Sequence, residues 1–377
     1  MNLYKTLLRP LLFCLDAERA HSLASNFAKR LQSYSAAREL LRTVCTTTSK
    51  TLPRLRSTVF DIDFKNPIGI AAGFDKNAEL IPFISDLDFG FIEIGSVSNL
   101  PCQGNPKPRL FRLPADSALI NRLGLNNIGA DLVAENLKSL SNCDIVIGAS
   151  IVKTHDPDIL DKRAIIDIVE CYKKLHAQAH YFTLNVSCPN TSDGKTFEES
   201  NALKELLTAI ASTKGGLNSK TPLLVKFSAD IPLTKLEEAI SVCEEHSIDG
   251  YVLTNTTTSR PTLKTPKTLV DNIGSGGLSG KPLFAKSIER VRFAYSLLGG
   301  KKPIIGVGGI DSAASAYAHI KAGASLLQLY TGLVYEGPLI CKAINYELNH
   351  LLLQDGFATL REAVGSANKK FIGGLQG

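Results

Sequence analysis

Two amides, a hydroxyl and a thiol crowd into six residues of the stretch Asn185-Val186-Ser187-Cys188-Pro189-Asn190-Thr191. The preceding run, Tyr181-Phe182-Thr183-Leu184, is apolar and β-rich, so the group falls where a buried strand opens into a loop. Pro189 ends that strand. Amides offer donors and acceptors together. A thiol has a reference pKa of about 8.5 that falls near cations, which makes Cys188 a natural proton acceptor. The chemistry indicated is removal of a proton from a flat, amide-rich ligand. A polar turn around an inert buried thiol has the same local signature, so the rest of the chain must separate the two.

Seven more residue groups of this kind follow β-rich runs. The eight runs are Ile68 to Ala71, Phe91 to Ile94, Ile145 to Gly148, Tyr181 to Val186, Leu223 to Lys226, Gly250 to Leu253, Ile304 to Val307 and Leu326 to Leu329. Helical stretches separate them. Buried parallel strands have this continuous apolar character, and eight alternating with helices predict an α/β fold, a (β/α)8 TIM barrel. A doubly wound sheet is the competing arrangement, but it usually has fewer strands and one dominant glycine fingerprint. Val59 to Phe64 alternates and reads as one short extra strand near the barrel's entrance.

In such a barrel the site lies at the C-terminal strand ends. Those ends carry Ala72-Gly73-Phe74-Asp75-Lys76, Gly95-Ser96, Ser150 with Lys153, the Asn185 stretch, Lys226, Thr254-Asn255-Thr256, Gly308-Gly309 and Tyr330-Thr331-Gly332. Chance loop polarity would not repeat lysines and Asn-Thr/Ser pairs there, so a shared site is expected. Loops after strands seven and eight form the usual phosphate site of this fold. Gly308 and Gly309 would let backbone N–H groups reach phosphate oxygens, and Gly276 to Gly280 reads as a further glycine-rich loop. A phosphorylated cofactor is implied. Lys226 would be a buried cation, so it needs an anion: either a carboxylate of this chain or a bound group such as a reduced flavin. Asn121, Asn185, Asn190 and Asn255 suit a small ring bearing imide and carboxylate groups.

Residues 1–45 differ from the rest. Leu3, Leu7, Leu11 and Leu15 share one helical face, and Pro10 either kinks that helix or opens a second segment. Asp16 is placed to cap the next helix, whose apolar stripe is Ala20, Leu23, Ala24, Phe27, Ala28 and Leu31. A basic, amphipathic helical pair suits a membrane surface, but composition alone favours a hairpin docked on the main domain, because any docked helix is amphipathic. Thr46 to Lys50 reads as a linker. The 377 residues carry a net charge of +6 with no dense Lys/Arg block, which argues against nucleic acid. The eight cysteines show neither C-x-x-C pairs nor metal-ligand spacing, so no metal site and no disulfide framework is expected. No run of 18 apolar residues is present.

Taken together the motifs resemble dihydroorotate dehydrogenase of class 2, the quinone-dependent, membrane-associated form. The matching pieces are Leu15 to His21, Lys65-Asn66-Pro67, Ala71 to Lys76, Gly104 to Leu113, Asn121-Arg122, Asn185 to Thr191, Thr254 to Thr257, Gly276 to Gly280, Pro303 to Asp311 and Gln328 to Gly332. The resemblance covers nearly the whole chain, from about residue 3 to about residue 350. The resemblance implies oxidation of dihydroorotate to orotate in de novo pyrimidine (UMP) biosynthesis, with hydride passing to FMN and electrons to a membrane quinone. It places FMN among Ala72, Gly73, Ser96, Ser150, Asn185, Lys226, Thr254, Gly280, Gly309, Tyr330 and Thr331. It places orotate among Lys76, Asn121, Arg122, Leu123, Gly124, Leu125, Asn185, Asn190, Asn255 and Thr256, with Cys188 as general base. Residues 1–45 become a membrane and quinone-entry extension with His21 and Arg112 at the tunnel, 46–350 an FMN-binding barrel and 351–377 a tail. The implied protein is peripheral on the cytoplasmic face of the inner membrane, and a monomer or weak oligomer. The chain departs from class 2 where Cys188 replaces a serine base, where Ser150 replaces an FMN-contacting Asn, and where Leu125 replaces a Phe. Cys is the class 1 choice, and class 1 enzymes use fumarate or NAD. The N-terminal extension argues for quinone. Another pyrimidine-reducing FMN barrel is the neighbouring alternative.

Overall fold

The eight apolar runs close into a parallel barrel in a computed structural model that describes residues 3–46, 52–140, 143–187, 196–260 and 263–368. In barrel order the strands are Ile68–Ile70, Phe91–Val97, Val146–Ile151, Tyr181–Asn185, Leu223–Phe227, Gly250–Leu253, Ile304–Val307 and Leu326–Leu329. Strand eight pairs back onto strand one through Leu327 opposite Ile68 and Leu329 opposite Ile70. Every residue of strands one, five, six and eight is buried, as expected where helices cover one face and the interior fills the other. The helices show why they dock. Asp161–Leu175 buries Ala164, Ile168, Cys171, Tyr172 and Leu175, a single stripe at helical spacing.

The alternating segment is two strands rather than one. Ser57–Val59 and Ile62–Phe64 pair antiparallel, with Phe60 and Asp61 both at positive φ (57° and 60°) in the turn between them. Two left-handed residues make a tight hairpin whose twist matches its strands. Val59 and Phe64 then pack with Phe91, Tyr181, Leu224, Val252, Ile305 and Leu326, so the hairpin plugs the barrel at the N-terminal ends of its strands, away from the mouth.

Over the opposite end lies a three-stranded antiparallel sheet that the sequence pattern did not suggest: Leu110–Leu113, Ala118–Asn121 and Gly277–Gly280. The expected glycine-rich loop at Gly276 to Gly280 is therefore mostly a strand. Its glycines serve close packing: a Cβ at Gly277 would overlap the Thr256 hydroxyl, and one at Gly276 would crowd the Asn121 carbonyl.

Among the described residues the N-terminal extension holds four helical segments, not a pair. A π-helical turn at Tyr4–Leu8 runs into Arg9–Phe13, where Pro10 opens the second segment, and Ala17–Leu31 and Ser35–Cys45 follow. Asp16 caps Ala17–Leu31, its carboxylate accepting from Glu18 N–H and Arg19 N–H at 3.0 Å each. The apolar stripe of this helix divides. Ala20 and Ala28 are buried, whereas Leu23 and Phe27 are 55% and 65% exposed. Small side chains let the helix approach the barrel, and the large ones face outward with Leu3, Leu7, Leu8 and Leu11. Thr47 to Lys50 of the expected linker lies outside the described residues. No described helix is long and apolar enough to cross a membrane. From Asp355 to Asn368 the described chain stays against the barrel: Leu360 and Ala363 are buried, and Gly365 N–H donates to the Ile320 carbonyl at 3.0 Å.

Candidate active site

The strand ends surround a cavity at the barrel mouth that is partly open to solvent. Of the residues expected at a cofactor site, Ala72, Gly73, Ser96, Asn185, Lys226, Thr254, Gly280, Gly309, Tyr330 and Thr331 line it. Of those expected to hold substrate, Lys76, Asn121, Leu123, Gly124, Leu125, Asn185, Asn255 and Thr256 line it. The mouth sheet delivers Asn121 and Gly280 from opposite strands, so one short sheet contributes to both expected subsites. Cys188 and Asn190 lie outside the described residues.

The amides are linked. Asn255 Nδ2 donates to Ser187 O at 2.6 Å and to Asn185 Oδ1 at 3.3 Å. Asn185 Nδ2 donates to Ser96 Oγ at 3.0 Å. Ser150 stands behind that contact: its hydroxyl is 2.8 Å from Ser96 Oγ, and it does not line the cavity. Arg122 also points away. Its guanidinium donates to the carbonyls of Ile273, Ser275 and Pro108 and covers the Phe111 ring, holding the mouth sheet to the loop beyond it.

Lys76 lines the cavity and donates to Asn126 Oδ1 at 2.6 Å. Burial, and then the Arg109 charge, pull its ammonium down to about 8. The charge of an incoming carboxylate would oppose that fall. The Thr254–Thr258 segment is pinned from below by Asp230, which accepts from Thr258 N–H at 2.6 Å, Thr258 Oγ1 at 2.7 Å, and Thr257 Oγ1 and Lys286 Nζ. Burial alone would raise the Asp230 pKa, but Lys286 and the threonine donors outweigh it and hold the carboxyl at about 2.

At the cavity floor Lys226 meets a carboxylate of this chain, one of the two anions its burial called for. Glu93 of strand two is fully buried, with Oε1 4.0 Å from Lys226 Nζ. Its Oε2 accepts from Thr183 Oγ1 (2.9 Å), Gln328 Nε2 (2.9 Å) and Tyr181 OH (3.2 Å). The signal was present as a lone carboxylate within the apolar run Phe91 to Ile94. Glu198 is a second carboxyl that sequence reading passed over; burial raises it to about 7, and Ser228 N–H donates to it at 2.6 Å.

His21 and Arg112 belong to the extension side. The His21 ring meets Phe74 edge-on at 5.2 Å, and Phe74 meets Tyr330 at 5.4 Å, so a chain of rings runs from the extension to the cavity. Burial, then Lys76, lower His21 to about 4, which leaves it neutral. Arg112 donates to the carbonyls of Leu12 and Leu15 and sits over the Phe13 ring.

The cavity suits a polar ligand. Buried oxygens at its wall, Thr254 Oγ1 and Gln328 Oε1, have no hydrogen-bond partner among the described residues, which is costly unless a ligand supplies one. At the ends of strands seven and eight, Asp311 is paired with Lys281 at 3.2 Å, which offsets a carboxylate that would repel phosphate. Gly309 is required for a reason other than ligand access: its φ is +71°, and a Cβ would lie 2.5 Å from the Phe284 Cβ.

A closed parallel barrel with this cavity at its strand ends defines the class, a (β/α)8-barrel enzyme. The family model described as dihydroorotate dehydrogenase matches residues 54–352. A curated relative from Natronomonas pharaonis, named dihydroorotate dehydrogenase (quinone), is 43% identical over 365 residues, covering 97% of this chain and 99% of its own. One from a Roseiflexus species with the same name is 42% identical, over 95% and 97%. The solved structure of Eimeria tenella DHODH in complex with ferulenol is 31% identical with a TM-score of 0.83, covering 93% of this chain and 95% of its own. The chain belongs to the dihydroorotate dehydrogenase family, and membership implies a flavin cofactor.

Proposed function

We infer that this chain oxidises dihydroorotate to orotate and passes the electrons to a quinone. The single observation that carries the reading is the match of nearly the whole chain, extension included, to relatives named for that activity with a quinone acceptor. We read the flavin as FMN, held by Ala72, Gly73, Ser96, Asn185, Lys226, Thr254, Gly280, Gly309, Tyr330 and Thr331, because these residues share one cavity wall and leave buried polar atoms for it. When bound, the flavin supplies the two-electron acceptor chemistry.

The chain's own residues bind, orient and move a proton. Lys76, Asn121, Asn255 and Thr256 hold the substrate ring, with Lys76 facing its carboxylate. Leu123, Gly124 and Leu125 close over it. Cys188, three residues beyond Asn185 in the sequence, takes the proton from the substrate carbon. Asn190 joins the residues that hold the substrate ring. Ser150 acts behind Ser96, and Arg122 holds the mouth sheet rather than the ligand. The extension is the quinone entry: the ring series His21, Phe74, Tyr330 supports a path from it to the cavity. Its exposed Leu3, Leu7, Leu8, Leu11, Leu23 and Phe27 support a peripheral seat on a membrane surface.

The test is an anaerobic titration of the purified yellow protein with dihydroorotate. One equivalent should bleach the flavin, and the flavin released by heat should have the mass of FMN. A colourless protein, or a flavin that dihydroorotate leaves oxidised, would overturn the reading.

A further inference from the structure

We propose that Glu93 is a positioning residue that holds Lys226 as a fixed cation in the wall of the cofactor cavity, so that the redox potential of the bound flavin depends on Glu93. The inference rests on the flavin reading above and goes beyond it.

A carboxylate with no exposure inside a barrel is costly unless its environment is built for it. Here it is built. Donors from strands four and eight, Tyr181 OH, Thr183 Oγ1 and Gln328 Nε2, all converge on Oε2. Three donors on one oxygen suit a carboxylate anion. They also fix the carboxylate's orientation, which leaves Oε1 toward Lys226 Nζ at 4.0 Å. That oxygen has no hydrogen-bond partner among the described residues, so its counter-charge is the ammonium.

Lys226 lines the cavity and Glu93 does not, so Glu93 acts on a bound group only through its neighbours. Gln328 is the second neighbour. Donating its Nε2 to Glu93 fixes the amide, and its Oε1 has no hydrogen-bond partner among the described residues. Around Lys226 the charged group recorded among the described residues is Glu93; the neutral Tyr181, Thr183 and Gln328 complete the ring from strands four and eight. Burial lowers the Lys226 pKa and Glu93 opposes that fall. With Glu93 gone, the ammonium sits in a dry barrel with nothing to keep its proton.

This yields a prediction of sign. A cation in the cavity wall favours the electron-rich form of a bound ligand. Loss of Glu93 followed by loss of the Lys226 proton must therefore lower the flavin potential. If Glu93 were only a spectator charge, its removal would raise the potential.

The experiment measures the flavin midpoint potential of the full-length holoprotein between pH 6 and 9, together with flavin content and thermal unfolding. Glu93→Gln should lower the potential at pH 8 by at least a tenfold change in the oxidised-to-reduced ratio, about 30 mV for a two-electron couple. In a Lys226→Arg background the cation cannot be lost, so adding Glu93→Gln should raise the potential instead. Should Glu93→Gln fold poorly, Glu93→Asp, with its carboxylate withdrawn by one methylene, should show a smaller fall of the same sign. A rise or no change in Glu93→Gln, or the same shift in both backgrounds, overturns the proposal. A parent protein without flavin would instead overturn the functional reading.

Discussion

Glu18 of the N-terminal extension grips Arg109 of the barrel, with Nη2 to Oε1 at 2.8 Å and Nε to Oε2 at 3.1 Å. Arg109 is buried, and its Nη1 donates to the Gln103 and Asn105 carbonyls at 2.8 and 2.9 Å. Burial would raise the Glu18 pKa, but Arg109 and Lys107 hold it below the usual carboxylate range. The pair therefore ties the helix that carries His21 to the loop ahead of the mouth sheet.

Glu18→Gln should loosen that tie without touching the barrel floor. Glu18 also helps Lys76 keep its proton, so the comparison belongs at pH 6, where stopped-flow reduction of the flavin by dihydroorotate should stay within about twofold of the parent. Turnover with a soluble quinone should fall about tenfold, the equivalent of 1.4 kcal/mol. Equal losses in both half-reactions would contradict the assignment of the extension to quinone entry.

Lys76 titrates at about 8, so it is charged below that pH and neutral above it. If it binds the substrate carboxylate, KM for dihydroorotate should be flat below pH 7.5. It should rise about tenfold by pH 9 as the cation is lost. Lys76→Met should show a raised KM at every pH and no such rise. A pH-independent KM in the parent would remove Lys76 from the substrate site.

Asp230 bears on Asn255 and Thr256 through the threonines beside them. Asp230→Asn leaves Lys286 without its carboxylate and weakens the hold on Thr257 and Thr258. It should cost about 1–3 kcal/mol of stability and raise KM more than it lowers kcat. Because the folded-state pKa of about 2 lies below the ordinary Asp value, the pairing stabilises fully above about pH 4 and fades as pH falls toward 2. The deficit of the variant, read by thermal unfolding, should therefore shrink in acid. A constant deficit would mean the charge is not what holds the loop.

Cys188 and serine differ in acidity, which gives the base assignment its test. The parent should reach its plateau in flavin-reduction rate near or below pH 8.5. Cys188→Ser should be slower at pH 7 by at least about 10²-fold and keep rising to higher pH. An unchanged rate at every pH would exclude Cys188 as the base.

The barrel was legible because buried parallel strands need side chains that are apolar on both faces, and all eight such runs became its strands. Much of the cavity wall followed, since the residues just past each strand share one mouth. The mouth sheet was not legible. Its strands have four residues each, too short for a period to show, and Gly277–Gly280 has turn composition although it pairs. Ser57 to Phe64 alternates across a hairpin turn that only its dihedral angles reveal. The split stripe of Ala17–Leu31 depends on what lies beneath the helix, which helical periodicity does not contain. Glu93 was visible, but its meaning required Tyr181, Thr183, Lys226 and Gln328 to meet from distant strands.

The central claim is that electrons taken from dihydroorotate leave to a quinone. It is tested most directly by bleaching the flavin anaerobically with one equivalent of dihydroorotate, then mixing with ubiquinone, fumarate or NAD and following the return of flavin absorbance. The account predicts fast return with the quinone alone. Return with fumarate or NAD at a rate equal to or above that with the quinone would contradict it.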